Sequence, residues 1–239
     1  MFEFIAPTKN SRFILTCEHA SADIPWEYEN LGLSEKELNR HIARDKGAAE
    51  VCRFIAKELG CASFLGKYSR LLIDLNRRIG EDELILQESD KTLIPSNLNI
   101  SEVEKKKRIE TFYIPYYAAI NGYIDDLIKR KEKPILFSIH SYTPQLRGGS
   151  YRPWQAGVLY HKPAMFADYL YQNLQKTSKN VGENVPYDLR KYNTGAAIIC
   201  GEEKDLDYAL IEIRDDEFDN LQKGTEEWGR LLADLMLKY

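Results

Sequence analysis

Short, fully apolar runs alternate along this chain with stretches whose apolar residues recur every three or four positions. Residues 12–17 (RFILTC), 61–65, 70–75, 135–139, 156–160, 196–200 and 208–213 read as buried strands. Between them the period lengthens to that of helices. Ser34 offers an N-cap for a helix over 35–43. A second helix follows Asp45, with Ala48, Val51, Cys52, Ile55 and Leu59 on one stripe and Gly60 as its stop. Ser101 and Glu104 form a capping box for a helix over 102–131, which Pro115 should interrupt. Further helices are expected over 164–176 and 225–237. The stretch 78–100 reads as an irregular, acidic surface excursion, and 178–194 as a loop. Strand and helix alternate throughout, which predicts a three-layer α/β fold: a mostly parallel or mixed sheet with helices on both faces. No repeat or linker divides the chain, so one domain over 1–239 is expected.

Composition narrows the class of function. The 239 residues carry a formal net charge of −4, which argues against a nucleic-acid partner. No run of 18 apolar residues is present, so no membrane span is expected. The N-terminal stretch lacks a basic segment followed by a long apolar one, so no signal peptide is expected either. Cys17, Cys52, Cys61 and Cys200 form no C-x-x-C pair and read as free buried thiols, which suits a reducing, cytoplasmic location.

The candidate chemistry lies just past the predicted strands. Glu18-His19, Asn76-Arg77, His140-Ser141 and the pair Glu212 and Arg214 each fall at or beyond a strand's carboxyl end. In an open α/β sheet that edge is where ligands bind. Of the four histidines (19, 41, 140 and 161), only His19 and His140 are placed there. Two imidazoles and a carboxylate are a usual protein ligand set for a hydrolytic zinc, and a free carboxylate beside them can serve as general base. An arginine next to an asparagine can hold a substrate carboxylate. G-x-S-x-G, G-x-G-x-x-G and H-E-x-x-H are all absent.

The stretches SIHSY (138–142), Asp74-Leu75-Asn76-Arg77 and Glu212-Ile213-Arg214-Asp215 resemble signatures of the zinc carboxypeptidase superfamily. More closely, the chain resembles the N-formylglutamate amidohydrolase (deformylase) family. That likeness runs through CEHASADIP (17–25), DKGA (45–48), YSRLLIDLNR (68–77), SIHSYTP (138–144), YRPWQAGVLY (151–160), NVPYDLR (184–190) and LIEIRDD (210–216). The resemblance implies a carboxypeptidase-like fold, one zinc per chain or another divalent metal, and hydrolysis of a linear amide C–N bond in a small N-acyl amino acid. N-formylglutamate, giving formate and glutamate, is the family's namesake substrate.

Carried over residue by residue, the resemblance makes His19 and His140 metal ligands and Glu212 the general base and acid. Asn76 and Arg77 would hold a substrate carboxylate. Carboxypeptidases place a Glu three residues after the first His, but position 22 is Ala here. Asp45 matches the amidohydrolase pattern as third ligand, with a helix N-cap as its alternative role. Glu18 is the next candidate, as ligand or supporting residue, and Asp23 the third. Arg152 and Tyr142 fall in substrate-loop stretches. Arg70 is expected beside Asp74, and Arg214 in support of Glu212. The stretch ICGEEKD (199–205) departs from the family, which would place a His before the last strand. Competing readings are a metallocarboxypeptidase or aminoacylase-like hydrolase, a cysteine amidase built on Cys17, and an inert small-carboxylate binder.

Overall fold

The computed structural model describes residues 1–239. Its strands, in chain order, are β1 (Phe2–Ile5), β2 (Phe13–Cys17), β3 (Ala62–Gly66), β4 (Glu88–Ser89), β5 (Thr92–Leu93), β6 (Ile135–Tyr142), β7 (Ala156–Leu159), β8 (Val181–Glu183) and β9 (Asp207–Arg214). The helices are α1 (Glu35–Leu38), α2 (Ala48–Leu59), α3 (Glu102–Arg108), α4 (Ile114–Lys129), α5 (Met165–Leu174) and α6 (Leu221–Lys238). Seven strands form one mixed sheet in the order β1-β3-β2-β6-β9-β7-β8, while β4 and β5 form a separate small hairpin. β2, β3, β6 and β9 run parallel, whereas β1 lies antiparallel on β3 and β7 antiparallel on β9.

Strand residues divide between two apolar layers by parity, as side chains alternate across a pleated sheet. Phe13, Leu15, Cys17, Ile135, Phe137, Ile139, Ala209, Ile211 and Ile213 join one buried cluster with α2, α5 and α6. Ile14, Leu136, Tyr208 and Leu210 join the other, with Tyr116, Ile120 and Ile124 of α4. Both faces are therefore covered, which is why these strands read as unbroken apolar runs. From β2 the chain crosses to β3 on one side and then to β6 on the other. The carboxyl ends of β2 and β6 thus flank a topological switch point, the usual place for a ligand crevice.

Two expected strands do not form. Residues 70–75 are a buried loop in which Leu71, Leu72, Ile73 and Leu75 pack into the second cluster. Its backbone carbonyls are satisfied by distant side chains instead of a ladder. Asn97 donates to Leu71 O, Arg108 to Leu72 O and Tyr117 to Leu75 O. The run at 196–200 becomes a buried helical turn, Ala197–Gly201; an apolar run this short fits either state. The helix expected over 35–43 stops at Leu38. The long helix is interrupted by a wide turn over Ile109–Tyr113, with Pro115 at the first turn of α4. Segment 78–100 is less peripheral than expected, because Leu84, Ile85 and Ile94 are buried. β1 and β8 form where no strand was expected. No helix is long and apolar enough to cross a membrane.

Candidate active site

The carboxyl ends of β2, β6 and β9 deliver His19, His140 and Glu212 to one place. His140 and Glu212 are direct cross-strand partners in the parallel β6–β9 pair. Asp45 is tied in by its backbone, whose N–H donates to His19 O at 3.0 Å. His19, Asp45 and His140 are buried and can each bring one ligand atom within 4.8 Å of the others.

Each imidazole is held in the same sense. His140 Nδ1 lies 2.8 Å and His19 Nδ1 3.4 Å from Asp45 Oδ2. The opposite nitrogens face two further buried carboxylates: His19 Nε2 is 2.7 Å from Asp74 Oδ1, and His140 Nε2 is 2.7 Å from Glu18 Oε2. Asp74 is fixed by Arg70 Nη2 at 2.6 Å and by the Asn76 N–H at 2.8 Å. Glu18 is held by the Tyr116 hydroxyl at 3.0 Å. Asp74 behind His19 favours a proton on Nε2 and leaves its Nδ1 free as a ligand, the arrangement metal-binding histidines adopt, whereas His140 makes its hydrogen bond to Asp45 through Nδ1 and brings Nε2 close to Glu18 without one.

The buried carboxylates and imidazoles shift one another's proton affinities. Burial pushes the Asp45 carboxyl upward, but His19 and His140 outweigh it and hold it below the usual range. For Asp74, burial is likewise outweighed by Arg70 and His19, and for Glu18 by His140. Burial lowers His140, yet Asp45 and Glu18 raise it well above an ordinary imidazole. Asp45, Asp74 and Glu18 set three carboxylates around the guanidinium of Arg70 and the raised His140, whose proton supplies part of the balancing charge. A divalent cation bound at the imidazoles would take the place of that proton in the balance. His19 Nδ1 has no hydrogen-bond partner, so a ligand position stands ready. On both counts the residues fit a divalent metal.

Glu212 differs from the other carboxylates. Burial raises its carboxyl to about 7, with Asp45 adding to the rise while His140 and His19 oppose it, and its Oε2 has no partner. In chelator-treated protein this has a thermodynamic consequence. Between the ordinary value of 4.5 and about 7, the folded state binds more protons here than the unfolded state, so stability falls as pH rises through that window. Glu212→Gln removes the titration. Chemical unfolding at pH 5 and pH 8 should show the variant gaining up to roughly 3 kcal/mol on the wild type at the higher pH. Parallel pH profiles for the two proteins would remove the shift.

A cleft of about 530 Å³ opens over these groups, lined among others by His19, Asp45, Arg70, Asn76, Arg77, Ser141 and Glu212. Leu159 and Leu210 supply an apolar wall, and Tyr187, Lys191, Tyr192 and Thr194 form the opposite rim. That rim closes onto the Asn76 segment: Thr194 donates to Asn76 O at 2.9 Å, and Gly195, at φ +98, abuts the Asn76 side chain. A Cβ there would stand 2.7 Å from Asn76 Oδ1. Arg77 lies at the rim with Nε donating to Glu83 at 2.8 Å.

Other expected residues lie outside the cleft lining. Arg152 packs its guanidinium against the rings of Tyr142 and Tyr187 and donates to the Tyr187 hydroxyl at 3.2 Å. Tyr142 donates its hydroxyl to the Trp154 carbonyl. Arg214 bonds Asp216 and the carbonyls of Arg152 and Pro153, so it braces the 152–154 loop and makes no bond to Glu212. Asp23 is absent from the cleft lining, and its backbone carbonyl accepts from Ser69. Sequence reasoning passed over the support that Asp74 gives His19 and the whole 187–194 rim. The NVPYDLR stretch (184–190) was the available signal for the rim.

A family model described as N-formylglutamate amidohydrolase matches residues 11–218. Among solved structures, the chain is similar to a gene product from Agrobacterium tumefaciens. The identity is 29%, the TM-score 0.93, and the match covers 99% of this chain and 93% of that one. It is also similar in fold to an N-formylglutamate amidohydrolase from Ralstonia eutropha JMP134. There the identity is 16% and the TM-score 0.76, over 99% of this chain and 96% of that one. No curated protein matches it.

Proposed function

Because the chain belongs to the N-formylglutamate amidohydrolase family and is an amide hydrolase, we propose that it is a zinc-dependent enzyme cleaving a small N-formyl amino acid, such as N-formylglutamate, to formate and the free amino acid. The observation carrying this reading is the convergence of His19, Asp45 and His140 beneath a cleft that also exposes Glu212. His19 and His140, through Nδ1, and Asp45, through its carboxylate, would hold the metal. A zinc ion there supplies Lewis-acid polarisation of the amide carbonyl and makes water acidic enough to attack near neutral pH. Glu212 takes a proton from the attacking water and hands it to the departing nitrogen. It reaches the cleft with Oε2 unpartnered, free to accept and then donate that proton. Arg70 Nε, buried without a partner, offers a hydrogen bond to a substrate oxygen. Leu159 and Leu210 add apolar surface to an otherwise largely polar cleft.

The rim supports a substrate bearing a carboxylate. Arg77 is about a quarter exposed and, apart from Glu83, meets only the Asn76 carbonyl at 3.3 Å. Its planar fork can take a carboxylate in a way that Lys cannot reproduce. A charge-assisted hydrogen bond contributes about 1.5–3 kcal/mol. Arg77→Ala should therefore lower kcat/KM for N-formyl-L-glutamate by roughly 10- to 150-fold. The matching α-carboxamide should be a poor substrate for the wild type and change little in the variant. Rates for both substrates on both proteins, with zinc content measured alongside, test the reading. Failure of zinc-loaded wild type to hydrolyse N-formyl amino acids would reject it.

A further inference from the structure

Ser141 follows His140 directly and makes its contacts in two ways. Its backbone N–H donates to Asp45 Oδ2 at 3.2 Å and so helps fix the carboxylate beside both imidazoles. Its side chain behaves differently: the residue is 8% exposed, it lines the cleft together with His19 and Glu212, and its Oγ has no hydrogen-bond partner. A hydroxyl left unpaired in a buried place costs stability, and folded proteins rarely keep one without a use. Ser69 shows the ordinary alternative. That residue is buried more deeply still, and it donates to Ala43 O at 2.8 Å and accepts from the Leu71 N–H at 3.2 Å. Ser69 is a structural hydroxyl, fully used within the fold.

Resting on the function proposed above, we infer that the Ser141 hydroxyl is a substrate-binding group that hydrogen-bonds the scissile amide of the N-formyl amino acid. Its position carries the assignment. Ser141 lines the same cleft as His19, Asp45 and Glu212, and its backbone N–H bonds the Asp45 carboxylate that faces both imidazoles. The Ser141 hydroxyl sits on the same residue as that N–H, so a group it bonds from the cleft lies near Asp45 and the two imidazoles that face it. A hydroxyl both donates and accepts, so it can serve the amide in the substrate and its separated halves after cleavage. The substrate's hydrogen bond fills the valence that the fold leaves open.

The test pairs activity with stability, because a binding hydroxyl and a structural one move them in opposite ways. Ser141→Ala should lower kcat/KM for N-formyl-L-glutamate about 3- to 10-fold, the size expected for one neutral hydrogen bond. Zinc content should be unchanged and Tm should be no lower than that of the wild type. Ser69→Ala, as the contrast, should lose Tm. A Ser141→Ala protein with wild-type kcat/KM overturns the assignment, and so does one whose Tm falls. If zinc-loaded wild type hydrolyses no N-formyl amino acid, the functional reading fails and the role of Ser141 fails with it. The wild-type assay thus separates that failure from a failure of Ser141 alone.

Discussion

Changing His140 to alanine is expected to leave the purified protein without bound metal and to lower amide hydrolysis by at least about 10³-fold. The size follows from Lewis-acid stabilisation of several kcal/mol at the transition state, at about 1.4 kcal/mol per tenfold in rate. Besides its ligand atom, His140 keeps Asp45 company at Nδ1 and Glu18 at Nε2. Its removal strands both carboxylates in a buried place, so stability should fall as well. Zinc should raise the Tm of the wild type and leave that of His140→Ala unmoved, as expected for a ligand that binds only one of them. His19→Ala should behave alike. Full zinc occupancy in His140→Ala would falsify the metal assignment. The carboxylate ligand is identified by two milder variants: loss of zinc in Asp45→Asn but retention in Glu18→Gln assigns it to Asp45, and the reverse assigns it to Glu18.

Glu212→Gln should separate proton transfer from metal binding. Glutamine keeps the size of the side chain but cannot accept the proton. General acid–base catalysis contributes about 10²- to 10⁴-fold, and kcat should fall by that range. Zinc content should stay near that of the wild type, because Glu212 lies outside the His19, Asp45 and His140 cluster. KM should change little, which marks an interaction made in the transition state rather than in the bound substrate. Near-normal kcat would remove Glu212 from the chemistry. Loss of zinc together with kcat would make it a ligand instead of a base.

The expectations that failed share a cause. The run at 70–75 has the apolar character of a strand, yet it stays a loop because Asn97, Arg108 and Tyr117 reach its carbonyls. Those partners are 26, 36 and 42 residues away, beyond any local pattern. Arg214 shares a strand with Glu212 but turns to the 152–153 carbonyls, a choice made by the fold of another loop.

The sequence by itself determined the central strands, since an apolar run and a period of two are local properties of β2, β6 and β9. It also determined which side chains those strands carry past their carboxyl ends: His19, His140 and Glu212. The order of the motifs was enough to identify the family. Tertiary structure alone decided which nitrogen of each imidazole faces Asp45, because that depends on Asp74 and Glu18 standing behind the rings. It alone set Glu212 apart from the other carboxylates, by burying it without a cation of its own. Chemical type is written residue by residue, but the proton affinity and direction of a side chain come from the groups packed around it. In this protein Asp74 stands 55 residues along the chain from the His19 it faces, and Asp45 95 residues from His140.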